Sequence, residues 1–152
     1  MSREKTEDIA SKCAGFFNNG YGYACSESVL LGFKDRLGEA GSIVPQIATP
    51  FGGGIAGNGH ICGALLSSLM ILGLKHGRTE SNADRTALYE KTNNIIAKFK
   101  EKYGTINCGE IRMIPSIIFN DPVKLKKLKN SYHEIVCSDL IKDVAEWLLE
   151  EL

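Results

Sequence analysis

The chain has 152 residues, 43% hydrophobic and 24% charged, and its 18 Lys and Arg residues balance its 18 Asp and Glu residues. A chain of this length forms one domain by default and buries roughly two thirds of its unfolded surface without cross-links. Because the net charge is zero, no overall field attracts nucleic acid, anionic lipid or acidic substrates, and these partner classes are disfavoured. We therefore predict a single domain over residues 1–152.

The start of the chain and its longest apolar run argue against export and membrane insertion. The first twelve residues are mostly polar or charged and lack the apolar core of a signal peptide. The longest apolar run, residues 61–74, is too short to span a bilayer. We expect a cytoplasmic protein. Its five cysteines then favour metal, cluster or catalytic chemistry over a permanent disulfide framework.

Helical periodicity and turn residues define the first half of the chain. A first helix is predicted over residues 4–17, with Cys13 among its apolar positions. A second helix is predicted to begin near Ser26, whose side chain would cap it, and to stop at Gly38. Residues 41–59 contain two prolines and several glycines, and are predicted to be a structured loop with at most a short helix around residues 44–49.

The segment after this loop, residues 61–75, is apolar on most faces and is therefore predicted to be the central buried helix. Such a helix could form the core of a monomer or the interface of a dimer, so the sequence does not exclude a homo-oligomer. A long amphipathic helix is predicted from residue 81 or 82 to Gly104, and Asp121-Pro122 is typical of the start of a helix.

The last helix is predicted to begin at Cys137, with an apolar face formed by Leu140, Ile141, Val144, Trp147 and Leu148. The whole pattern predicts an all-α, single-domain helical bundle of about five to seven helices, with a glycine-rich loop before the central helix.

Four of the five cysteines lie at or near a predicted helix start. They are Cys25, Cys62, Cys108 and Cys137. A helix N-terminus offers unpaired N–H groups and about half a positive charge, which lower a thiol pKa and stabilise an anion. These four residues are therefore the candidate catalytic thiolates or metal ligands, whereas Cys13 is predicted to be part of the core.

The cysteine spacing leaves several kinds of site open. No C-x-x-C is present, so zinc ribbons, thioredoxin-type motifs, bacterial ferredoxin runs and c-type haem attachment are absent. Helix starts that meet at one end of a bundle would give an iron–sulfur or other thiophilic site, or two dithiol pairs. The alternatives are a non-redox zinc module with His60 as an extra ligand, and a helical interaction protein with buried cysteines.

The segment FGGGIAGNG contains a formal G-x-G-x-x-G, but a proline-containing loop precedes it instead of a strand. A better interpretation is that the glycines let the backbone pass close to the cysteine site, or donate N–H groups to sulfur or a small anion. A plain tight loop is equally admissible. The candidate cofactor-binding positions are Gly52, Gly53, Gly54 and Gly63.

Over most of its length the chain resembles the redox-active family known by its cysteine pattern, C_GCAxxG_C_C. The residues that carry this resemblance are Gly20-Tyr21 before Cys25-Ser26, Pro50-Phe51-Gly52-Gly53-Gly54-Ile55, Cys62-Gly63-Ala64, and the single cysteines Cys108 and Cys137. Ser67 stands where the family pattern has glycine, and serine is small enough to keep a close helix contact. The resemblance implies that the four cysteines carry electron transfer or thiol/disulfide chemistry with a redox partner that it does not identify.

Overall fold

The computed structural model describes residues 2–18, 20–113, 121–124 and 133–152, with side chains from residue 136 onward in the last range. The described ranges contain α-helices and short 3-10 helices but no strand, which confirms the all-α prediction. The α-helices are α1 (Arg3–Asn18), α2 (Cys25–Phe33), α3 (Gly63–His76), α4 (Thr86–Tyr103), α5 (Cys108–Ile111) and α6 (His133–Glu151). The 3-10 helices are Lys34–Arg36, Gly38–Ile43 and Gln46–Phe51.

The core lies where α1, α2, α3 and α6 pack together, with α4 against α3 and α6. As predicted, α3 is central, since it packs against α2, α4 and α6, although Leu74 in its last turn is exposed. The predicted apolar face of α6 is also confirmed, because Leu140, Ile141, Val144 and Leu148 are buried. Burying side chains of this size stabilises a fold by about 1.5–3 kcal/mol each. Among the described helices, none combines the length and apolar character needed to cross a bilayer.

The crossing of α1 and α2 depends on a glycine. A Cβ atom on Gly32 would lie 2.1 Å from Sγ of Cys13, so only glycine allows the two helices to approach this closely. Cys13 is fully buried, and this burial raises the pKa of its thiol to about 12. Cys13 is therefore an unreactive core residue, as its position within a helix predicted.

Two predicted helix starts differ from the structure. Ser26 does not cap α2: α2 begins at Cys25, and the buried Ser26 hydroxyl donates a hydrogen bond to the carbonyl of Ala48 (2.9 Å). The Glu27 carboxylate instead accepts the Ala24 N–H (3.1 Å). Likewise α4 begins at Thr86 and not at residue 81 or 82; its end at Gly104, with φ 76°, agrees with the prediction.

The last helix begins at His133, four residues before the predicted start at Cys137. Val136, Leu140 and Val144 follow at four-residue intervals, so the apolar stripe continues on the N-terminal side of Cys137. Cys137 therefore lies inside α6. The helix start predicted at Asp121-Pro122 is supported by its hydrogen bonds. The Asp121 carboxylate accepts the N–H groups of residues 123 and 124, as a capping residue does. The lysine-rich continuation of this segment lies outside the described residues.

Candidate redox site

The glycine-rich loop forms a left-handed turn beside the cysteines. Five consecutive residues have φ between 51° and 75°: Gly53, Gly54, Ile55, Ala56 and Gly57. A left-handed conformation costs roughly 1–2 kcal/mol at each residue that carries a Cβ atom, here Ile55 and Ala56. Hydrogen bonds hold the turn, including Ala56 N–H to the Pro50 carbonyl (2.7 Å) and His60 N–H to the Gly54 carbonyl (2.9 Å). The surrounding structure thus maintains a strained segment at this point.

A short antiparallel bridge between Ile61 and Asn107 positions Cys62 and Cys108. Cys62 N–H donates to the Ile106 carbonyl (2.8 Å), and Cys108 N–H donates to the His60 carbonyl (2.6 Å). Residues next to a bridged pair point to the face opposite that pair, so Cys62 and Cys108 share one face as diagonal neighbours. Such neighbours are about 7–8 Å apart, and somewhat closer between their Cβ atoms.

Glycines allow the backbone to pass close to these cysteines. A Cβ atom on Gly54 would lie 2.7 Å from Cβ of Cys108 and 2.6 Å from the backbone nitrogen of His60. A Cβ atom on Gly63 would lie 3.1 Å from Sγ of Cys25, and one on Gly52 would lie 2.8 Å from Cβ of Ala24. The close approach expected from the sequence is present, while the cofactor-binding role of these glycines stays a prediction.

Cys25 is half-buried at the first residue of α2, where its sulfur is surrounded by donors. The thiol of Cys62 donates a hydrogen bond to it, and the backbone N–H groups of Ala64, Gly53 and Ser26 add three more. The Cys62 hydrogen bond is the largest cause that lowers the pKa of Cys25, to about 7, with burial opposing and the N–H groups assisting. Cys25 is therefore substantially a thiolate near neutral pH.

Cys62 has the complementary properties. It precedes the first residue of α3 as its N-cap and is only 5% exposed. Because its proton is held between two sulfurs, the hydrogen bond to Cys25 raises the pKa of Cys62 well above the usual value, and burial and the charge of Cys25 add to the effect. The two cysteines form a thiolate–thiol pair.

Cys108 is a third, more peripheral member of this group. It is buried at the start of α5, and burial raises the pKa of its thiol. The positive charge and hydrogen bond of Arg112, four residues later, act in the opposite direction, and the charge of Cys25 raises the pKa further. Cys25, Cys62 and Cys108 thus lie close enough to influence one another's ionisation.

The side chains of the two remaining candidate ligands, Cys137 and His60, are not placed beside Cys25, Cys62 and Cys108 by the contacts described above. Cys137 is half-buried in the second turn of α6, so its membership of the group stays a prediction. The side chain of His60 is exposed, and its main chain bonds the glycine turn and Cys108. Among the described residues, no three His, Cys, Asp or Glu side chains are placed to hold one metal ion. None of the five cysteines, all in described segments, is in a disulfide.

Two contributors to the site were not found from the sequence. One is Arg112, for which the only sequence signal is its spacing of four residues from Cys108, the helical contact spacing. The other is Ser67, for which the sequence indicates only a small side chain. Its buried hydroxyl donates to the carbonyl of Ser26 (2.7 Å) and so ties α3 to the first turn of α2, beside Cys25.

Comparisons with known proteins agree with the cysteine pattern. A family model described as "Putative redox-active protein (C_GCAxxG_C_C)" matches residues 23–151, a range that includes the four motif cysteines and leaves out Cys13. An uncharacterized protein of Archaeoglobus fulgidus is 36% identical over 74 residues, which cover 43% of this chain and 49% of that protein. The chain therefore spans about half the length of this curated relative. No solved structure matches the chain.

Proposed function

The chain belongs to the redox-active family defined by the cysteine pattern C_GCAxxG_C_C, and from this premise we propose that it carries out thiol–disulfide exchange at Cys25 and Cys62. The observation that carries the proposal is the hydrogen bond between these two thiols, within a ring of backbone N–H groups. A reactive cysteine needs a partly exposed, electropositive environment, which Cys25 has. A resolving cysteine needs to lie within reach of it, which Cys62 does.

The exchange has two steps. The Cys25 thiolate attacks one sulfur of a substrate disulfide, a bond forms between Cys25 and that sulfur, and the other substrate sulfur leaves as a thiolate. The Cys62 thiol then loses its proton and attacks Sγ of Cys25, which releases the second substrate sulfur as a thiolate. The substrate gains two electrons, and the protein ends with a Cys25–Cys62 disulfide.

The local charges favour this order of events. The N–H groups that stabilise the Cys25 thiolate come from the starts of α2 and α3 and from the left-handed turn. Cys62 keeps its proton while Cys25 is charged, because its thiol donates to that charge. When Cys25 becomes part of a mixed disulfide this charge is lost, so the largest cause that raises the pKa of Cys62 is removed, while burial remains, and the second attack becomes easier.

The iron–sulfur and zinc sites expected from the cysteine content are the competing proposals. Cys25, Cys62, Cys108 and Cys137 are the residues that would supply thiolates to either metal site. Among the described residues no three potential ligands are placed around one point, so the thiol pair has the more direct support. Thiol–disulfide exchange needs only the two sulfurs that are in contact.

The first experiment measures cysteine reactivity in the full, reduced chain. The protein is exposed briefly to iodoacetamide between pH 5 and 9, and alkylation of each cysteine is quantified by mass spectrometry. We expect Cys25 to react fastest, with a midpoint near pH 7, and Cys13 to stay unmodified. Slower alkylation of Cys25 than of Cys62 would overturn the assignment of the nucleophile.

The second experiment adds one equivalent of glutathione disulfide. The wild type is expected to form a Cys25–Cys62 disulfide, whereas Cys62→Ser should accumulate glutathione on Cys25 because it lacks the resolving thiol. Cys137→Ser is the matched control and should behave as the wild type. Iron with inorganic sulfide, or stoichiometric zinc, in anaerobically purified protein whose four cysteines resist alkylation would favour the metal site instead.

A further inference from the structure

Cys108 is not needed for a two-thiol cycle, yet its position is tightly constrained. The main chain around it is fixed by hydrogen bonds from Cys108 N–H to His60 and from Gly109 N–H to Gly59 (3.0 Å). Its Cβ atom packs against Gly54, where any side chain would collide with it. The fold therefore places a third thiol next to the reactive pair.

The side chain of Arg112 acts on this third thiol. Its guanidinium contributes a positive charge and a hydrogen bond to Cys108 from one helical turn away. A guanidinium keeps its charge at any physiological pH, so it partly offsets the burial that raises the pKa of Cys108.

We propose that Cys108 is a second resolving thiol, which attacks Sγ of Cys62 in the Cys25–Cys62 disulfide, and that Arg112 positions it for this attack. A Cys62–Cys108 disulfide forms, the bond between Cys25 and Cys62 breaks, and Cys25 leaves as a thiolate. No external oxidant or reductant is required, since one disulfide and one thiolate give another disulfide and another thiolate. This inference rests on the proposed function.

Two observations determine the direction of attack. Cys62 and Cys108 lie on the same face of the Ile61–Asn107 bridge, so the bridge brings Cys108 toward Cys62. The more stable thiolate is the better leaving group, and Cys25 has the donors that stabilise it. Attack at Cys62 therefore restores the nucleophile of the first step while the protein stays oxidised.

The exchange requires a movement of the chain. Diagonal neighbours across a bridge are about 7–8 Å apart, whereas the two Cβ atoms of a disulfide are about 3.5–4.5 Å apart. The short helix α5, one turn long, has to shift toward α3 by a few ångströms. The second disulfide is thus expected to form more slowly than the first.

The test follows both disulfides over time in full-length protein with Cys13→Ala as background. In this background trypsin places each of the remaining four cysteines on a separate peptide. Reduced protein receives one equivalent of glutathione disulfide, samples are quenched with acid at intervals, and free thiols are alkylated after denaturation. We expect the Cys25–Cys62 disulfide to appear first and then decline while Cys62–Cys108 rises and Cys25 becomes available again.

Variants separate the roles of the two residues. In Cys108→Ala, oxidation should stop at the Cys25–Cys62 disulfide. Arg112→Gln should leave the first step unchanged and slow the second by about three- to tenfold at neutral pH, shifting its pH profile upward, because less Cys108 is thiolate. Arg112→Lys should restore part of the rate, since it keeps the charge.

The outcomes distinguish the two proposals. A Cys25–Cys62 disulfide that persists while Cys108 stays fully alkylated would overturn the role of Cys108 and leave the proposed function intact. Absence of any Cys25–Cys62 disulfide would overturn both. A second step that proceeds equally fast in Arg112→Gln would reject the role of Arg112.

Discussion

At the scale of single residues, Gly54 is enclosed on several sides within the candidate site. A Cβ atom there would lie 2.6–2.7 Å from His60 backbone atoms and from Cβ of Cys108, and its φ of 70° already disfavours a side chain. We expect Gly54→Ala to lower the free energy of unfolding of the reduced protein by about 2–5 kcal/mol, the sum of overpacking and left-handed strain. Urea denaturation measures this change.

Two other glycines serve as controls for Gly54→Ala. Gly38 has φ 56° and no atom within 4 Å of a Cβ position, so Gly38→Ala reports the strain alone, about 1–2 kcal/mol. Gly73 lies in α3 with open space around it, and Gly73→Ala should stabilise by up to about 1 kcal/mol. An equal effect at Gly54 and Gly38 would contradict the close packing against Cys108.

The residues of the site could be predicted from sequence only where the signal is local. Cys25, Cys62 and Cys108 lie at helix starts, as turn residues and periodicity predict, and their chemical roles stay predictions. The same rule failed for Cys137, since the helix continues through it. The contact between Cys25 and Cys62 joins residues 37 positions apart, which no local pattern specifies.

Among the helices, the packing of α3 against α2 determines how the donors surround Cys25. The Ser67 hydroxyl bonds the carbonyl of Ser26, and Ala64 on the same helix donates to Cys25. We expect Ser67→Val to cost about 1–3 kcal/mol by overpacking and to slow alkylation of Cys25 at pH 7, because a displaced α3 withdraws the Ala64 N–H. Urea denaturation and the iodoacetamide rate measure the two effects.

Ser68 provides the matched control, because within the described residues its buried hydroxyl bonds the Leu65 carbonyl of its own helix (2.6 Å). Ser68→Ala removes a buried hydroxyl without acting on the contact between α2 and α3, and should leave Cys25 reactivity unchanged. Unchanged Cys25 reactivity in Ser67→Val as well would show that the spacing of α2 and α3 does not control the thiolate.

The helices themselves were largely predictable, and their ends were less so. Periodicity located α1, α3 and the C-terminal part of α6 because the apolar residues that form the core repeat at helical spacing. The ends depend on single capping contacts, such as Asp84 accepting the Thr86 N–H (2.9 Å) at the start of α4. Several nearby polar residues could serve equally well, so a sequence does not select one.

For the whole molecule, composition and patterning predicted the all-α class, whereas two features that shape the site could not be predicted. The left-handed turn includes Ile55 and Ala56, which locally favour other conformations and are held by the surrounding fold. The Ile61–Asn107 bridge joins positions 46 residues apart. Both features arise from tertiary packing.

The pH dependence of global stability follows from the opposite shifts of the cysteine pKa values. Cys25 has a pKa of about 7 in the fold against an ordinary value of 9.0, so its stabilisation is complete above pH 9 and is lost as the pH falls through 7. Cys13, Cys62 and Cys108 have raised pKa values, so their contribution is complete below pH 9 and is lost as the pH rises further.

Stability of the reduced protein should therefore increase from pH 7 to a maximum near pH 9 and decrease above it. We expect the rise to be about 1–2 kcal/mol, reduced from the full shift because Cys25 is partly exposed. Urea denaturation in excess reductant at each pH measures it. Cys25→Ser should abolish the rise and retain the decrease, because it removes only the group with the lowered pKa. A wild-type curve that falls steadily from pH 7 would mean that the fold does not stabilise a thiolate at Cys25.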